Sequence, residues 1–454
     1  MVTTPRLPDG FAVQLDPRVH VDPQRRVLVG DAAPGVLARV NPAVSLLTRG
    51  RLVVCDERSA ALARSLLEAG VAHPRPTSLP SHEDVTVVIG VRRDSADLDR
   101  LLRRLAGLRV IVVDDASAHP VRRAGVTVIR HDRPRGYSAA RNTGLEAAAT
   151  DFVAFFASDA VPERGWLELM LGHFTDPAVA LVVPRVLTDT RSGGRLAGYE
   201  RDCSLVDRGT HETTLRDNAT VPYVSGVAML VRRSAVRGFD ESLRSAQGTE
   251  LCRRLEREGW HLRYEPIARV TVAGSAGYGH WLRRNYSYGN GVGVVSARHP
   301  RHAVPLTAQP WAIGVCLLAA LGGRRGLQCA ALVATVETAR AVAVDDDRRR
   351  DTLARNLSRQ VSVAATQTVS AALRHYWPAA VLVSVVSRRA RRALLVAMVA
   401  DGLLDWSHRR SAEPDHPGPI GHVVLKRAED VAFGAGLWAA MVRTRSLGAL
   451  NPLR

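Results

Sequence analysis

Asp159, in "DFVAFFASDAVPERGW", is a single carboxylate delivered by a buried apolar run to a Pro-containing turn. Hard oxygen ligands and few protein contacts are what Mg2+ or Mn2+ needs when it bridges two phosphates. A lone Asp after a strand is equally at home as a turn or N-cap residue. Ala157 stands two residues before it. Upstream, "IVVDDAS" ends another apolar run in two acids. The second, Asp115, can accept an imide N–H such as that of uracil, although paired acids at a strand end often cap helices. Between them, "RPRGYSAARNTG" takes an Arg-rich, Gly-containing turn into a helix. Backbone N–H groups at that helix start, together with Arg135, suit a phosphate.

The elements that must position these residues alternate between short apolar runs and amphipathic segments. "VTVVI", "LRVIVVDDAS", "GVTVIR" and "DFVAFFASD" read as buried strands, with "ADLDRLLRRLAG" and "YSAARNTGLEAAA" as helices. That grammar predicts right-handed βαβ units and a mostly parallel sheet flanked by helices over residues 85–300. The polar residues fall at the C-terminal strand ends, where open α/β sheets bind ligands. No GxGxxG follows the first strand, which disfavours a dinucleotide dehydrogenase.

Residues 1–78 read as a small winged-helix-like module. "FAVQLDPRVHVDPQRRVLVG" alternates like a hairpin, "VSLLTRG" and "SAALARSLLEAGVAH" read as helices, and "RLVVC" is a strand between them. Residues 79–84 form a linker. Residues 301–454 are helical and patchily apolar. Ala303 to Gly323 carries no charge and is just long enough to cross a bilayer. The later apolar runs are shorter and sit beside "RRARR" and "HRR". Such helices suit a membrane interface or a soluble bundle.

The formal charge of +18 comes almost wholly from Arg and fits an anionic partner: nucleic acid, acidic lipid or a diphosphate. A GC-rich genome would produce the same bias. No recognition motif interleaves aromatics with the Arg residues, so nucleic acid is not expected as a partner. The five cysteines have neither CxxC nor His spacing, which disfavours structural zinc. "MVTTPRLPDGFAVQLDPRV" has no apolar h-region, so the expected location is the cytoplasm, at the inner face of the cell membrane.

The first strand, "VDDAS", "RGYSAARNTG" and "ASD" follow in that order at intervals of about 20 to 30 residues. Together they resemble the inverting family 2 glycosyltransferases of the GT-A fold, typified by "VVIPVYN", "VVDDGS", "RGxxxARNxG" and "DSD". The resemblance implies that Gly90, Val91, Arg92, Asp115, Arg135, Gly136, Arg141 and Ser158 surround a nucleotide-sugar donor. It also implies that Asp159 binds a divalent cation, Mg2+ or Mn2+. Longer stretches, among them "LPDGFAVQLDPRV", "GYERDCSLVDRG", "RRALLVAMVADGLLDW" and "FGAGLWAAMVRTRSLGALNP", resemble the mycofactocin-system glycosyltransferases. That implies a UDP-glucose-dependent enzyme acting on a peptide-derived redox cofactor, with the N-terminal module docking the peptide.

Departures from the pattern concern the proton acceptor. Gln247 and Gly248 stand where the family's "GED" has its acids, and neither can take a proton from an attacking hydroxyl. Glu250 lies two residues on, about 200° around a helix axis, and becomes the best substitute if the helix starts later. Glu241 and Asp240 are other acids nearby, and His280 is the nearest imidazole in "RVTVAGSAGYGH". Gly90 replaces the usual Pro after the first strand. Two functions remain open: a transferase with an altered base, or a catalytically degenerate relative that binds nucleotide sugar or a partner.

Overall fold

The computed structural model describes residues 5–22, 27–30, 37–39, 50–189, 193–216, 226–299, 310–344, 350–409 and 415–450. They divide into two compact units, residues 1–190 with 204–274, and residues 191–203 with 275–454.

The first unit opens with two small sheets. Strand β1 (Ala12–Leu15) is followed by a meander of β2 (Val19–Asp22), β3 (Val27–Gly30) and β4 (Leu37–Arg39), then by β5 (Arg51–Val53). The hairpin expected in this stretch belongs to β2 and β3, whereas β1 pairs antiparallel with β5 and with β6 (Ala72–Pro74). Most of "VSLLTRG" lies outside the described residues. Helix α1 (Glu57–Ala69) starts in a reciprocal cap: Ser59 N donates to Asp56 Oδ1 at 2.7 Å, and Asp56 N donates to Ser59 Oγ at 2.9 Å. It stops at Gly70, whose φ of 70° is easy only for a residue without Cβ. Its apolar face, Ala60, Ala63, Leu66 and Leu67, packs with Phe11, Val13 and Leu52.

A nine-stranded sheet follows. In chain order its elements are β7 (Val85–Val91), α2 (Ala96–Arg104), β8 (Arg109–Asp114), β9 (Thr127–Arg130), α3 (Tyr137–Ala147) and β10 (Phe152–Ala157). Then come β11 (Val161–Pro162), α4 (Trp166–Leu171), β12 (Val179–Asp189), β13 (Thr213–Thr214), β14 (Ala228–Arg232), α6 (Gln247–Arg257) and β15 (His261–Ala273). The strand order is β11-β15-β12-β14-β10-β7-β8-β9, with β13 on β15. The stretch β10-β7-β8-β9 is parallel, β14 runs antiparallel between β10 and β12, and β12 is parallel to β15. Every residue of β7 is buried, as a central parallel strand covered on both faces requires. Helix α3 lies close on it: a Cβ on Gly144 would overlap Val88, and one on Gly90 would sit 3.1 Å from the Ala140 methyl.

The N-terminal sheets are fastened to this domain by charge. Arg64 on α1 donates twice to Asp176, at 2.6 and 2.8 Å, and the Asp176 side chain is 4% exposed.

The second unit is helical: α5 (Gly194–Cys203), α7 (Tyr278–Arg298), α8 (Pro310–Leu321), α9 (Gly323–Val344), α10 (Arg350–Arg374), α11 (Trp377–Val386), α12 (Arg388–Arg409) and α13 (Pro419–Thr444). Helices α7 and α13 touch main chain to main chain. A Cβ on Gly289 would lie 1.9 Å from the Phe433 oxygen, and one on Gly436 would lie 2.0 Å from the Tyr286 oxygen. Inside the unit, Arg374 donates to Asp430 at 2.5 Å and to Glu429 at 3.0 Å, and Tyr199 donates to Glu429 at 3.0 Å. Within the uncharged run Ala303–Gly323, the described helix covers 12 residues and ends before Gly323, at φ 59°. Among the described residues no single helix is long and apolar enough to cross a membrane. Residues Val361–Arg374 and Trp377–Val386 pass together only as a pair bent by 90°.

Removing the partner of a buried carboxylate leaves its charge uncompensated. Arg64→Ala is therefore expected to destabilise the protein by about 3 kcal/mol, read as a lowered urea midpoint. Arg58→Ala, an exposed neighbour on the same helix, should change the midpoint little.

Candidate active site

The two acids of "VDDAS" do different things. Asp114 is fully buried and accepts from Ser117 N at 2.8 Å, Ser117 Oγ at 2.5 Å, Val121 N at 3.1 Å and the Arg130 guanidinium. Burial alone would raise its pKa, but these donors outweigh burial and hold it below the usual carboxylate range. It therefore folds the loop after β8. Asp115, 2% exposed, reaches across to the next element. Its Oδ1 accepts from Arg135 N at 2.7 Å and lies 2.8 Å from His131 Nδ1; its Oδ2 accepts from Gly136 N at 2.9 Å. His131 Nε2 continues the chain to Thr143 Oγ1 on α3 at 2.9 Å. In the structure the carboxylate of Asp115, the residue expected to meet a base, fixes the turn that starts α3. Gly136, at φ 98°, makes that turn possible, and Ala116 holds a left-handed φ of 56° beside it.

Around this turn gather the other residues expected at a donor. Val91 accepts from Asp115 N at 2.8 Å and is buried, while Arg92 is exposed. Gly90 pairs in register with Ala157 and lies under the Tyr137 ring, 3.4 Å from an added Cβ. Ala157 N donates to Val227 O at 2.8 Å, and Ala160 N closes the following turn on Ala157 O at 3.0 Å. Ser158 and Asp159, half-buried, occupy that turn. Arg135 is exposed, its guanidinium 3.5 Å from Glu241. Arg141 is 1% exposed, stacks over Tyr137 with 4.2 Å to the ring centroid, and donates to Tyr137 Oη at 2.9 Å and to the Gly226 carbonyl. Burial pulls its pKa down.

The candidate proton acceptors are less well assembled. Helix α6 begins at Gln247, after Ala246 at φ 60°, so Glu250 sits in its first turn. Glu250 is buried, with Oε1 3.3 Å from Arg254 Nε and no described partner for Oε2. Gly248 packs on Gly226 so closely that a Cβ would come within 2.8 Å of its Cα. Asp240 accepts from Ser242 N and Oγ in a local turn. Glu241 is exposed and accepts from Asn142 Nδ2 at 3.0 Å. His280 lies exposed on α7 of the second unit.

Two residues of the site went unread in the sequence. His131 joins Asp115 to α3, and its only signal was its place between "VTVIR" and the Arg-Gly turn. Asn142 Oδ1 accepts from Phe239 N at 2.7 Å and its Nδ2 donates to Phe239 O at 2.9 Å, tying α3 to the loop before α6. The "ARN" spacing carried that signal. Among the described residues, Asp159 is the carboxylate in the turn that follows β10. No group of three His, Cys, Asp or Glu ligands among the described residues includes it. Such a donor suits an ion whose other ligands are phosphates and water.

The glycosyl transferase family 2 model matches residues 86–239, spanning the Asp115 turn, α3 and Asp159 but ending before α6. Two curated relatives, pre-mycofactocin glycosyltransferases from two strains of Mycobacterium tuberculosis, are each 46% identical over 469 residues. The match covers 99% of this chain and 99% of theirs. The chain belongs to the pre-mycofactocin glycosyltransferases of family 2. Its fold is accordingly GT-A, a central mixed sheet between helices. Solved structures similar to this family member include GalNAc-T7 with UDP, GalNAc and Mn2+, at 15% identity and TM-score 0.35, covering 49% of this chain and 52% of that one. Another is the mannosyltransferase PcManGT from Pyrobaculum calidifontis with GDP-Man and Mn2+, at 17% identity and TM-score 0.36, covering 65% and 89%.

Three hydrogen bonds outweigh burial at Asp115 and hold its carboxyl below the usual range. A depressed folded pKa gives stability that is complete above the unfolded value and fades as pH falls through the folded one. Asp115→Asn turns an amide toward main-chain N–H donors, and is expected to cost about 2 kcal/mol at pH 7. In urea titrations from pH 7 to pH 3 the gap to the parent protein should stay level down to about pH 5, then narrow.

Proposed function

We propose that the protein transfers glucose from UDP-glucose to a hydroxyl of a peptide-derived mycofactocin precursor, with inversion at the sugar. The observation that carries this reading is the convergence, at the C-terminal strand ends, of the Asp115-held turn after β8, the start of α3, and Asp159 after β10, with β7 between the two strands. Asp115 fixes the Arg135–Gly136 turn, and Arg135, exposed at its tip, faces incoming diphosphate. Asp159 would hold Mg2+ or Mn2+, which when bound neutralises charge on the leaving diphosphate. Glu250 is the assigned proton acceptor, because Oε2 lacks a described partner and α6 starts beside Gly226 at the same strand ends.

A second reading, a binding module without turnover, is favoured by one observation: Glu250 is buried against Arg254, while the first turn of α6 has no room for a side chain at Gly248. UDP release from UDP-glucose with Mn2+ and acceptor separates the two. Release that falls at least a hundredfold in Glu250→Gln and in Asp159→Ala supports the transferase. UDP-glucose binding without release in the parent protein supports the module.

The cytoplasmic face of an anionic membrane is the proposed location. Helix α11 buries none of its residues, Val386 is 89% exposed, and Arg388, Arg389, Arg391 and Arg392 follow directly. The protein should float with phosphatidylserine vesicles and lose that binding with phosphatidylcholine alone or when the four arginines become Gln. The N-terminal sheets are the proposed dock for the peptide part of the acceptor.

A further inference from the structure

Cys203, Asp405 and His422 meet inside the helical unit, although they lie far apart in the chain. Cys203 ends α5, Asp405 stands on α12, and His422 sits in the first turn of α13. A ligand atom from each, the thiol sulfur, a carboxylate oxygen and an imidazole nitrogen, lies within 4.8 Å of the other two. Bonds of about 2.3 Å to sulfur and about 2.0–2.1 Å to nitrogen or oxygen place two zinc ligands up to about 4.4 Å apart. The three atoms therefore need little movement to share one ion. Cysteine spacing carried no sign of this, because each ligand comes from a different helix.

Two buried imidazoles here have a nitrogen with nothing to bind. His422, whose side chain is 1% exposed, turns Nε2 to Asp405 Oδ2 at 2.9 Å and leaves Nδ1 without a hydrogen-bond partner. His416, 7% exposed, reaches Pro417 O with Nδ1 at 2.7 Å and leaves Nε2 without one. A carbonyl only accepts, so His416 Nδ1 carries the proton and Nε2 presents a lone pair. That is the arrangement of a metal-binding histidine, whose other ring nitrogen donates to a carbonyl or carboxylate. The two rings are parallel within 5°, with centroids 6.2 Å apart. His416 Nε2 also lies 3.6 Å from Asp202 Oδ2, on the neighbour of Cys203. Buried polar atoms are normally satisfied, and one ion can satisfy several at once.

The charges suit a divalent ion of borderline softness. A thiolate and a carboxylate together match its two positive charges, and imidazole completes a set typical of zinc. Asp405 keeps Arg409 on Oδ1 at 2.9 Å. Lys426, 3.3 Å from Asp405 Oδ2, is also 3.4 Å from Asp401. Asp405 can thus give Oδ2 to an ion without stranding either cation.

We propose that Cys203, Asp405, His422 and His416 bind one Zn2+ that staples α5 to α12 and α13. On binding, the Cys203 S–H proton leaves to solvent and the sulfur bonds to the ion. The site uses no residue of the nucleotide-sugar reading and does not rest on it.

The test is the zinc content of the full chain, purified without chelator and dialysed against metal-free buffer, followed by Co2+ titration of the zinc-stripped protein. Plasma mass spectrometry should find about one zinc per chain in the parent and in Asp159→Ala, and less than about a tenth in Cys203→Ser and in His422→Gln. Zinc affinity should fall at least tenfold in His416→Gln. Co2+ should give the near-ultraviolet thiolate-to-cobalt absorption in the parent and in Cys55→Ser, an exposed thiol elsewhere, but not in Cys203→Ser. Should the variants fail to fold, zinc K-edge absorption of the parent decides: one sulfur at about 2.3 Å with nitrogen or oxygen at about 2.0–2.1 Å supports the site. A parent chain that neither carries zinc nor shows that absorption with Co2+ overturns the proposal. So does zinc retained by folded Cys203→Ser, unchanged affinity in the folded histidine variants, or a zinc shell without sulfur.

Discussion

A carboxylate that grips two successive backbone N–H groups fixes everything built above it. Asp115 takes the main-chain hydrogens of Arg135 and Gly136 and leans on His131, which in turn meets Thr143. The end of β8 is thereby locked to the beginning of α3. The direction of α3 then decides where Tyr137, Ser138 and Arg141 stand over β7 and β10. The first acid of the pair, Asp114, supports this by shaping the loop between β8 and β9. Two adjacent aspartates thus divide one architectural task.

Two turns that border the site hold alanine in left-handed backbone, Ala116 at φ 56° and Ala246 at φ 60°. A Cβ there meets the neighbouring carbonyl and costs roughly 1 kcal/mol at each turn. The resembled motifs carry glycine at both places, in "VVDDGS" and "GED", so the chain tolerates strain that a glycine would relieve. Ala246 directly precedes Gln247 and Gly248, the stretch in which the expected acids are replaced. Both sides of the site thus hold alanine where the resembled motifs have glycine, and the α6 side also lacks the expected acids.

Locality decides what could be read from the residues. The strands β7, β8 and β10 and the helices α2 and α3 were legible because continuous apolar runs and helical periodicity are local properties. The turn at Arg135–Gly136 was legible because glycine and a helix start are local too. The architectural role of Asp115 was not: its partners lie 16 to 21 residues away, and nothing local in "VDDAS" announces them. The reversed strand β14, inserted between β10 and β12, is likewise a matter of pairing across long separations. In the N-terminal sheets the alternating pattern was read correctly as strand, but β1 found β5 and β6 instead of its neighbour, since alternation gives no register between distant segments.

In the helical unit, α7 and α13 meet with no side chain between Gly289 and the Phe433 carbonyl, or between Gly436 and the Tyr286 carbonyl. Contact at that range leaves no layer of rotamers to absorb motion. Sliding one helix past the other by a single residue would drive a β-carbon into a peptide oxygen. The crossing therefore behaves like a welded joint, and whatever flexing the unit undergoes must be taken up in the segments that lead into it.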